Sequence, residues 1–509
     1  MAQDYDVDAW EIYDKLERIQ KDEIYTSMRS EHTGLPDDVQ RWVEVVSRFS
    51  LHNEYPATMA YFVSLGQILK DTIRIPVGML TLDPRIHHCW VQSARSGKTT
   101  MFDFLSPVWQ RTFELVNNHG ATLQEPTLPL NGVKEFNLQN PDSFTDQGLL
   151  GTLKVNQPNP DYDRAQARDD EDYNIPEVTD IPIYGSLYGS GIIAFDEFEH
   201  SGIFKETQHK SETVMLFQKF MNRLDSDTHL IKKRLTEWGK DLVVDCQRSL
   251  WATTLPPEGL ERVILTKGVF QRMWLYVREV PESLKQQMEE QYIDNIGMIA
   301  DGNENDNEQY FEEFSEMLYG TYRWAQNRLN EVNGDKRRVI VWSPDAQRKL
   351  KIVHKGMRKY MEGIEDQVFE ALNTFLMNII NNIAISAALC AASERSHIIL
   401  PKHIDMGRQL TDESFDSITN WFSDKLKQRP KKRIGNQTEK VYRAIYAQCK
   451  KVRVNGEDGW VPKTTMVAKY AKYEGCAPSK FYRTWPEVAH LFEEKRNKKS
   501  YVRLREKNE

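Results

Sequence analysis

Ile86-His87-His88-Cys89-Trp90-Val91 runs into Gln92-Ser93-Ala94-Arg95-Ser96-Gly97-Lys98-Thr99-Thr100 and then into Met101-Phe102-Asp103-Phe104-Leu105. The first stretch reads as a buried strand, the second as a polar loop and the third as the start of a helix. That succession gathers backbone N–H groups and the positive end of a helix at one point, which suits phosphate. Gly97 lets the loop turn, Lys98 reaches toward the β and γ oxygens of a nucleoside triphosphate, and Thr99 offers a hydroxyl to magnesium. Ser93, Ala94, Arg95, Ser96, Gly97, Lys98, Thr99 and Thr100 are therefore the expected nucleotide-binding residues, with ATP and Mg²⁺ as ligands. The usual pattern opens with glycine five residues before Gly97, where this chain has Gln92.

Three further elements follow in order. Gly191-Ile192-Ile193-Ala194-Phe195 is an apolar run ending in Asp196 and Glu197. An acid at the end of a buried strand can hold the magnesium shell and its neighbour can orient an attacking water, so Asp196 is assigned to the metal and Glu197 to the general base. A third apolar run, Ser249-Leu250-Trp251-Ala252, ends in Thr253 and Thr254, either of which can hydrogen-bond the γ-phosphate or the water. Arg272 precedes a fourth run and can stabilise transition-state charge at a neighbouring subunit's site. Strands alternating with helical segments predict an α/β core with a parallel sheet.

With the four elements in this order, residues 50–415 resemble the AAA+ motor of MCM-type replicative helicases and related virus-encoded helicases. Gly191 to Glu199 is similar to their second acidic motif. The family inserts a β-hairpin between that motif and the third strand, where it points into the ring pore and grips DNA. Thr228 to Leu235, Thr236-Glu237-Trp238-Gly239-Lys240-Asp241 and Leu242 to Asp245 read here as strand, turn and strand. The resemblance implies that Lys232, Lys233, Arg234, Trp238 and Lys240 meet DNA, with a stacking ring and cations suited to a moving single strand. It also implies a trans-acting role for Arg272, a helical lid over Ser343–Ser414 and a homo-oligomeric, hexameric ring on single-stranded or forked DNA. Leu255-Pro256-Pro257-Glu258-Gly259-Leu260, leading into Gly268–Arg272, is similar to the P-loop module of phage and plasmid primase-helicases. In this chain Thr254 stands where the family has asparagine, and no lid arginine stands out between Asn373 and Leu389.

The 509 residues are enough for two or three domains. Residues 1–50 read as acidic helices, Val7–Arg18 and Val39–Phe49 among them; 51–300 form the ATPase core and 309–423 the lid. Ser343 is placed to cap a helix that Pro344 opens. Asn156–Asp180 and Asp301–Glu308 are polar enough to be read as loops or insertions. The five cysteines show no Cys-x-x-Cys spacing, and His87, His88 and Cys89 alternate along a core strand with no fourth ligand, so no structural zinc is expected. The acidic N-terminus lacks the basic start and apolar core of a signal peptide, and no run of eighteen apolar residues occurs, which predicts a soluble intracellular protein that does not enter a membrane; the helicase resemblance implies a cytoplasmic setting of prokaryotic or viral origin.

The net charge of −8 is unevenly spread. Residues 424–509 hold 23 Lys plus Arg against 10 Asp plus Glu, a balance of +13, which leaves −21 on residues 1–423. A basic end favours a polyanion partner through counterion release. Within residues 434–509, a helix from Val461, a turn at Gly475–Ser479, a second helix over Lys480–Glu493 and a strand at Tyr501–Leu504 read as a winged helix-turn-helix. Lys480 and Arg483 would face a groove, or the domain would dock replication partners. The leading expectation is a ring-forming, ATP-driven DNA helicase or translocase, replicative by resemblance. The alternative is an ATP-dependent, DNA-bound scaffold or loader that does not unwind.

Overall fold

The computed structural model describes residues 34–50, 53–119, 135–141, 144–159, 178–201, 211–225, 229–235, 240–256, 272–278, 286, 290, 304–361 and 366–428, with parts of 461–504. The chain divides into two compact units between Ser423 and Asp424. The first unit is α/β. Its strands are β1 (His88–Gln92), β2 (Phe136–Gln139), β3 (Gly151–Pro158), β4 (Val178–Tyr184), β5 (Gly189–Phe195), β6 (Leu230–Leu235), β7 (Lys240–Thr254) and β8 (Trp274–Arg278).

Five of these make a parallel sheet in the order β8, β1, β7, β5, β2. Every residue of β1 and β5 is buried, so neither strand presents a polar face to solvent. Gly191 has φ +114°, and a Cβ there would stand 1.8 Å from the Asn137 carbonyl oxygen, so only glycine lets β2 pair at this register. Because β7 lies between β1 and β5, the strand ends at Gln92, Thr254 and Phe195 come together at one edge. Ligands of parallel α/β sheets gather beyond such carboxyl ends.

The strand expected at Ser249–Ala252 is the last part of a longer one. Lys240–Thr254 is continuous, so the second arm of the expected hairpin and the strand carrying the threonines are the same strand. Its first part pairs antiparallel with β6, from Leu230↔Asp245 to Leu235↔Lys240.

Two expected loops are corrected. Asn156–Asp180 contributes its ends to an antiparallel hairpin of β3 and β4. The β-branched alternation Thr179, Ile181, Ile183 outweighs the local prolines there. Asp301–Glu308 holds the start of a helix, Glu304–Glu331, because acidic residues are favourable at a helix N-terminus.

The helices used below are α1 (Asp37–Val46), α2 (Glu54–Ile68), α3 (Lys98–Asn118), α4 (Glu304–Glu331), α5 (Pro344–Met361), α6 (Asp366–Ser393) and α7 (Pro401–Gln428). Helix α2 is buried from Tyr55 to Ile68, as a helix apolar on all sides must be. α1 covers Val39–Val46 of the expected Val39–Phe49 helix, and a 3₁₀ turn, Ser47–Ser50, completes it. Trp42 is fully buried and donates its indole N–H to Ala57 O at 2.9 Å, so this segment is part of the core. Val7–Arg18 lies outside the described residues. As expected for a cap, Ser343 Oγ accepts the Ala346 N–H at 3.1 Å, with Pro344 first in α5. Helix α7 closes the open side of β8: Ser414 Oγ donates to Leu275 O at 2.6 Å and the Val277 N–H donates to Ser417 Oγ at 3.2 Å.

The second unit contains β9 (Val461–Pro462), β10 (Phe492–Asn497) and β11 (Lys499–Leu504), an antiparallel sheet in the order β9, β11, β10. Val461–Pro462 is thus a strand where a helix start was expected, with helical residues from Lys463. The strand expected at Tyr501–Leu504 begins earlier, at Lys499, and Phe492 and Glu493 belong to its partner strand rather than to the expected helix Lys480–Glu493. Lys463 Nζ stands 4.1 Å from the Trp485 ring centroid. Among the described residues, no helix is long and apolar enough to cross a membrane.

Candidate nucleotide site

The loop between β1 and α3 turns through two left-handed residues, Arg95 at φ +59° and Gly97 at φ +77°. Gly97 is the N-cap of α3, which begins at Lys98 and directs its free N–H groups into the loop. Gln92 needs no glycine conformation because it is the last residue of β1. Its side chain turns into the core, 1% exposed, and its Oε1 accepts the Trp90 indole N–H at 2.6 Å. The missing first glycine is thereby explained without loss of the loop.

Lys98 Nζ donates to Gln92 O at 2.7 Å and Ser93 O at 3.0 Å, and lies 3.4 Å from Ser96 Oγ. Burial holds its pKa below the usual lysine value, and the nearby Asp196 and Glu199 carboxylates oppose that shift. A cavity of about 350 Å³ opens beside it, lined by Ala94 to Thr100 of the loop and by Asp196, Glu197, Glu199, Thr254 and Leu255. The loop, the acid pair and the threonine strand read from the sequence therefore share one pocket.

Asp196 is held from two sides. Thr253 Oγ1 donates to its Oδ1 at 2.6 Å, and Thr99 Oγ1 is 3.4 Å from its Oδ2. A carboxylate and a hydroxyl so placed are hard-oxygen donors of the kind that could hold Mg²⁺. Of the two threonines, Thr253 serves the acid, while Thr254 Oγ1 donates to Glu199 Oε2.

Glu197 takes φ +57° and is 66% exposed, and its Oε2 is 3.2 Å from His200 Nε2. Glu199 and His200 had not been singled out in the sequence. The signal was present: Asp196-Glu197-Phe198-Glu199 places a third acid two residues on, and the buried Phe198 pins the turn between them. Glu199 also accepts the Leu255 N–H, at 3.4 Å.

Along the β6–β7 hairpin, Lys232 and Arg234 are exposed, whereas Lys233 is half-buried on the other face. Lys240 forms an ion pair with Asp180 of β4, tying the two hairpins together and holding the Asp180 carboxyl below its ordinary pKa. Trp238, Lys480 and Arg483 lie outside the described residues. Arg272 is exposed, just before β8, whose Trp274 is in register with His88. It therefore stands at the opposite edge of the sheet from Lys98, roughly 16 Å or more away at about 3.3 Å per residue.

His87, just before β1, and His88, its first residue, are core residues: both are buried, and His87 Nδ1 accepts the Leu250 N–H at 3.2 Å. Cys89, Cys246 and Cys390 are buried free thiols. No family model and no curated protein matches the chain.

Proposed function

We propose that the chain is an ATP hydrolase of the MCM-like AAA+ kind, working as a ring-forming DNA helicase or translocase. The observation that carries this reading is the continuity of β7: it begins in a cationic hairpin and ends in Thr253 and Thr254, the first hydrogen-bonded to the acid beside the phosphate loop. A change at the nucleotide is thereby linked through one rigid element to a surface suited to DNA. In this reading the loop N–H groups and Lys98 bind the phosphates, and Glu197 orients the attacking water. Mg²⁺, when bound, would neutralise phosphate charge between Thr99 and Asp196. Arg272 acts on a neighbouring subunit's nucleotide, because it stands across the sheet from its own.

A second reading is a nucleotide switch that loads or scaffolds without unwinding. It is favoured by Glu197 being paired with His200 and by Lys240 being paired with Asp180. ATPase assays with and without single-stranded DNA, on the wild type and Glu197→Gln, test the proposal. The expected result is DNA-stimulated hydrolysis that Glu197→Gln abolishes while ATP binding persists. A wild type that binds ATP but ignores DNA would favour the switch, and one without hydrolysis would refute the motor.

A further inference from the structure

The segment preceding β1 carries no chemistry that the sequence announces, yet it supports the phosphate loop. Asn53 stands at the N-cap position of α2, where asparagine ordinarily accepts a helix N–H through its side chain. Here it makes no such cap. Its amide instead donates to Ser50 O and to Ser96 O, each at 2.8 Å, and the residue is only 3% exposed. Ser50 and Ser96 are themselves buried.

The same contact has a second half. A Cβ on Gly97 would lie 2.6 Å from Ser50 Cα, so the loop sits directly on the end of the 3₁₀ turn. Phe49 stacks on Phe104 of α3 with ring centroids 4.1 Å apart, fixing the turn against the helix that the loop begins. Asn53 thus grips the backbone of Ser96, the residue whose hydroxyl Lys98 approaches.

We infer that Asn53 is a positioning residue for nucleotide binding: its amide fixes the Ser96 carbonyl and so holds the loop open for phosphate. This rests on the nucleotide reading above. It acts through the loop and touches no reacting atom, so it governs affinity rather than turnover.

The test uses the full chain, with Mg²⁺–ATP binding by calorimetry, steady-state ATPase kinetics and thermal melting on the wild type, Asn53→Asp and Asn53→Ala. Asn53→Asp keeps the shape but turns a carboxylate oxygen toward two carbonyls. The expected result is a KM and Kd for ATP raised about tenfold or more, with kcat at saturating ATP within about twofold and a melting temperature shifted by only a few degrees. Trp42→Phe, a change in the adjoining core that leaves both Asn53 hydrogen bonds in place, serves as the stability control. A wild type that binds ATP while Asn53→Asp binds it equally well would overturn this inference alone. So would an affinity loss that follows melting temperature equally across Asn53→Ala and Trp42→Phe. A wild type with no ATP affinity would overturn the nucleotide reading and this inference with it.

Discussion

Lys240 and Thr254 are the two ends of one strand, and its 15 residues carry the hairpin at one end and the candidate nucleotide pocket at the other. At about 3.3 Å per residue such a strand spans roughly 45–50 Å, and hydrogen bonds to β1 and β5 stiffen its second half. No loop intervenes between Thr254 and the hairpin, so under the proposed motor function a displacement at Thr254 would reach the hairpin through one strand.

The exposed face of that hairpin sets the first prediction. Lys232 and Arg234 point away from the core, opposite Val243 and Asp241. Replacing both by alanine should abolish stimulation of ATP hydrolysis by single-stranded DNA. If each cation neutralises one phosphate, the slope of log affinity against log salt should flatten by about 1.4. Fluorescence anisotropy across a salt series measures the slope, and an unchanged slope would remove the hairpin from the DNA contact.

The second concerns Thr253. Its hydroxyl donates at 2.6 Å to Asp196 Oδ1, leaving the other carboxylate oxygen toward Thr99. Thr253→Val keeps the volume and removes the donor, so Asp196 is free to rotate. Hydrogen bonds to charged groups are worth about 1.5–3 kcal/mol, and partial exposure of Asp196 points to the lower end. The Mg²⁺ concentration for half-maximal ATP binding should rise roughly tenfold, a change read by magnesium titration.

A third prediction concerns stability. Asp83 and Arg85 form a buried pair, Nε to Oδ1 at 2.7 Å, and Arg85 also donates to Arg248 O and Asn222 O. Burial works to raise the Asp83 carboxyl, but Arg85 and the Leu224 N–H outweigh it and hold the pKa at about 2. A folded value below the usual 3.8 means that this stabilisation is complete above that pH and is lost as the pH falls through about 2. Asp83→Ala leaves a guanidinium buried without its partner and should cost about 3–5 kcal/mol at neutral pH. Adding Arg85→Met should recover much of that cost; thermal melts of the single and double variants make the comparison.

The pocket was legible because its parts lie at the ends of apolar runs, and a parallel sheet brings the ends of its strands to one edge. Gln92 looked like a defect for lack of register: only the structure shows it as the last residue of β1, where no left-handed turn is required. Thr253 and Thr254 could not be separated in the sequence, since adjacent strand residues face opposite sides and one slip exchanges them. Asn53 was invisible because its partners are backbone carbonyls of Ser50 and Ser96, which leave no mark on residue identity. The ends of the β3–β4 hairpin are hard to see in the sequence because the Pro, Asp and Asn of residues 156–180 outnumber the short β-branched alternation of Thr179, Ile181 and Ile183.

Arg272 carries the last prediction, since its position decides whether one chain can complete a site. It precedes β8 at the level before His88, while Lys98 follows β1 at the level after Gln92, and a parallel sheet cannot bring those two levels together. If Arg272 completes a neighbour's site, Arg272→Ala should bind ATP normally and lose at least about 10³-fold in hydrolysis. Lys98→Ala should fail at nucleotide binding instead. Mixing the two inactive proteins should then restore activity: wherever an Arg272→Ala subunit with intact Lys98 meets a Lys98→Ala subunit with intact Arg272, one complete site forms. The restored rate should rise and fall with mixing ratio and should disappear on dilution below the assembly concentration. A mixture as inactive as its components would place Arg272 outside the reaction and return it to the role of a surface charge.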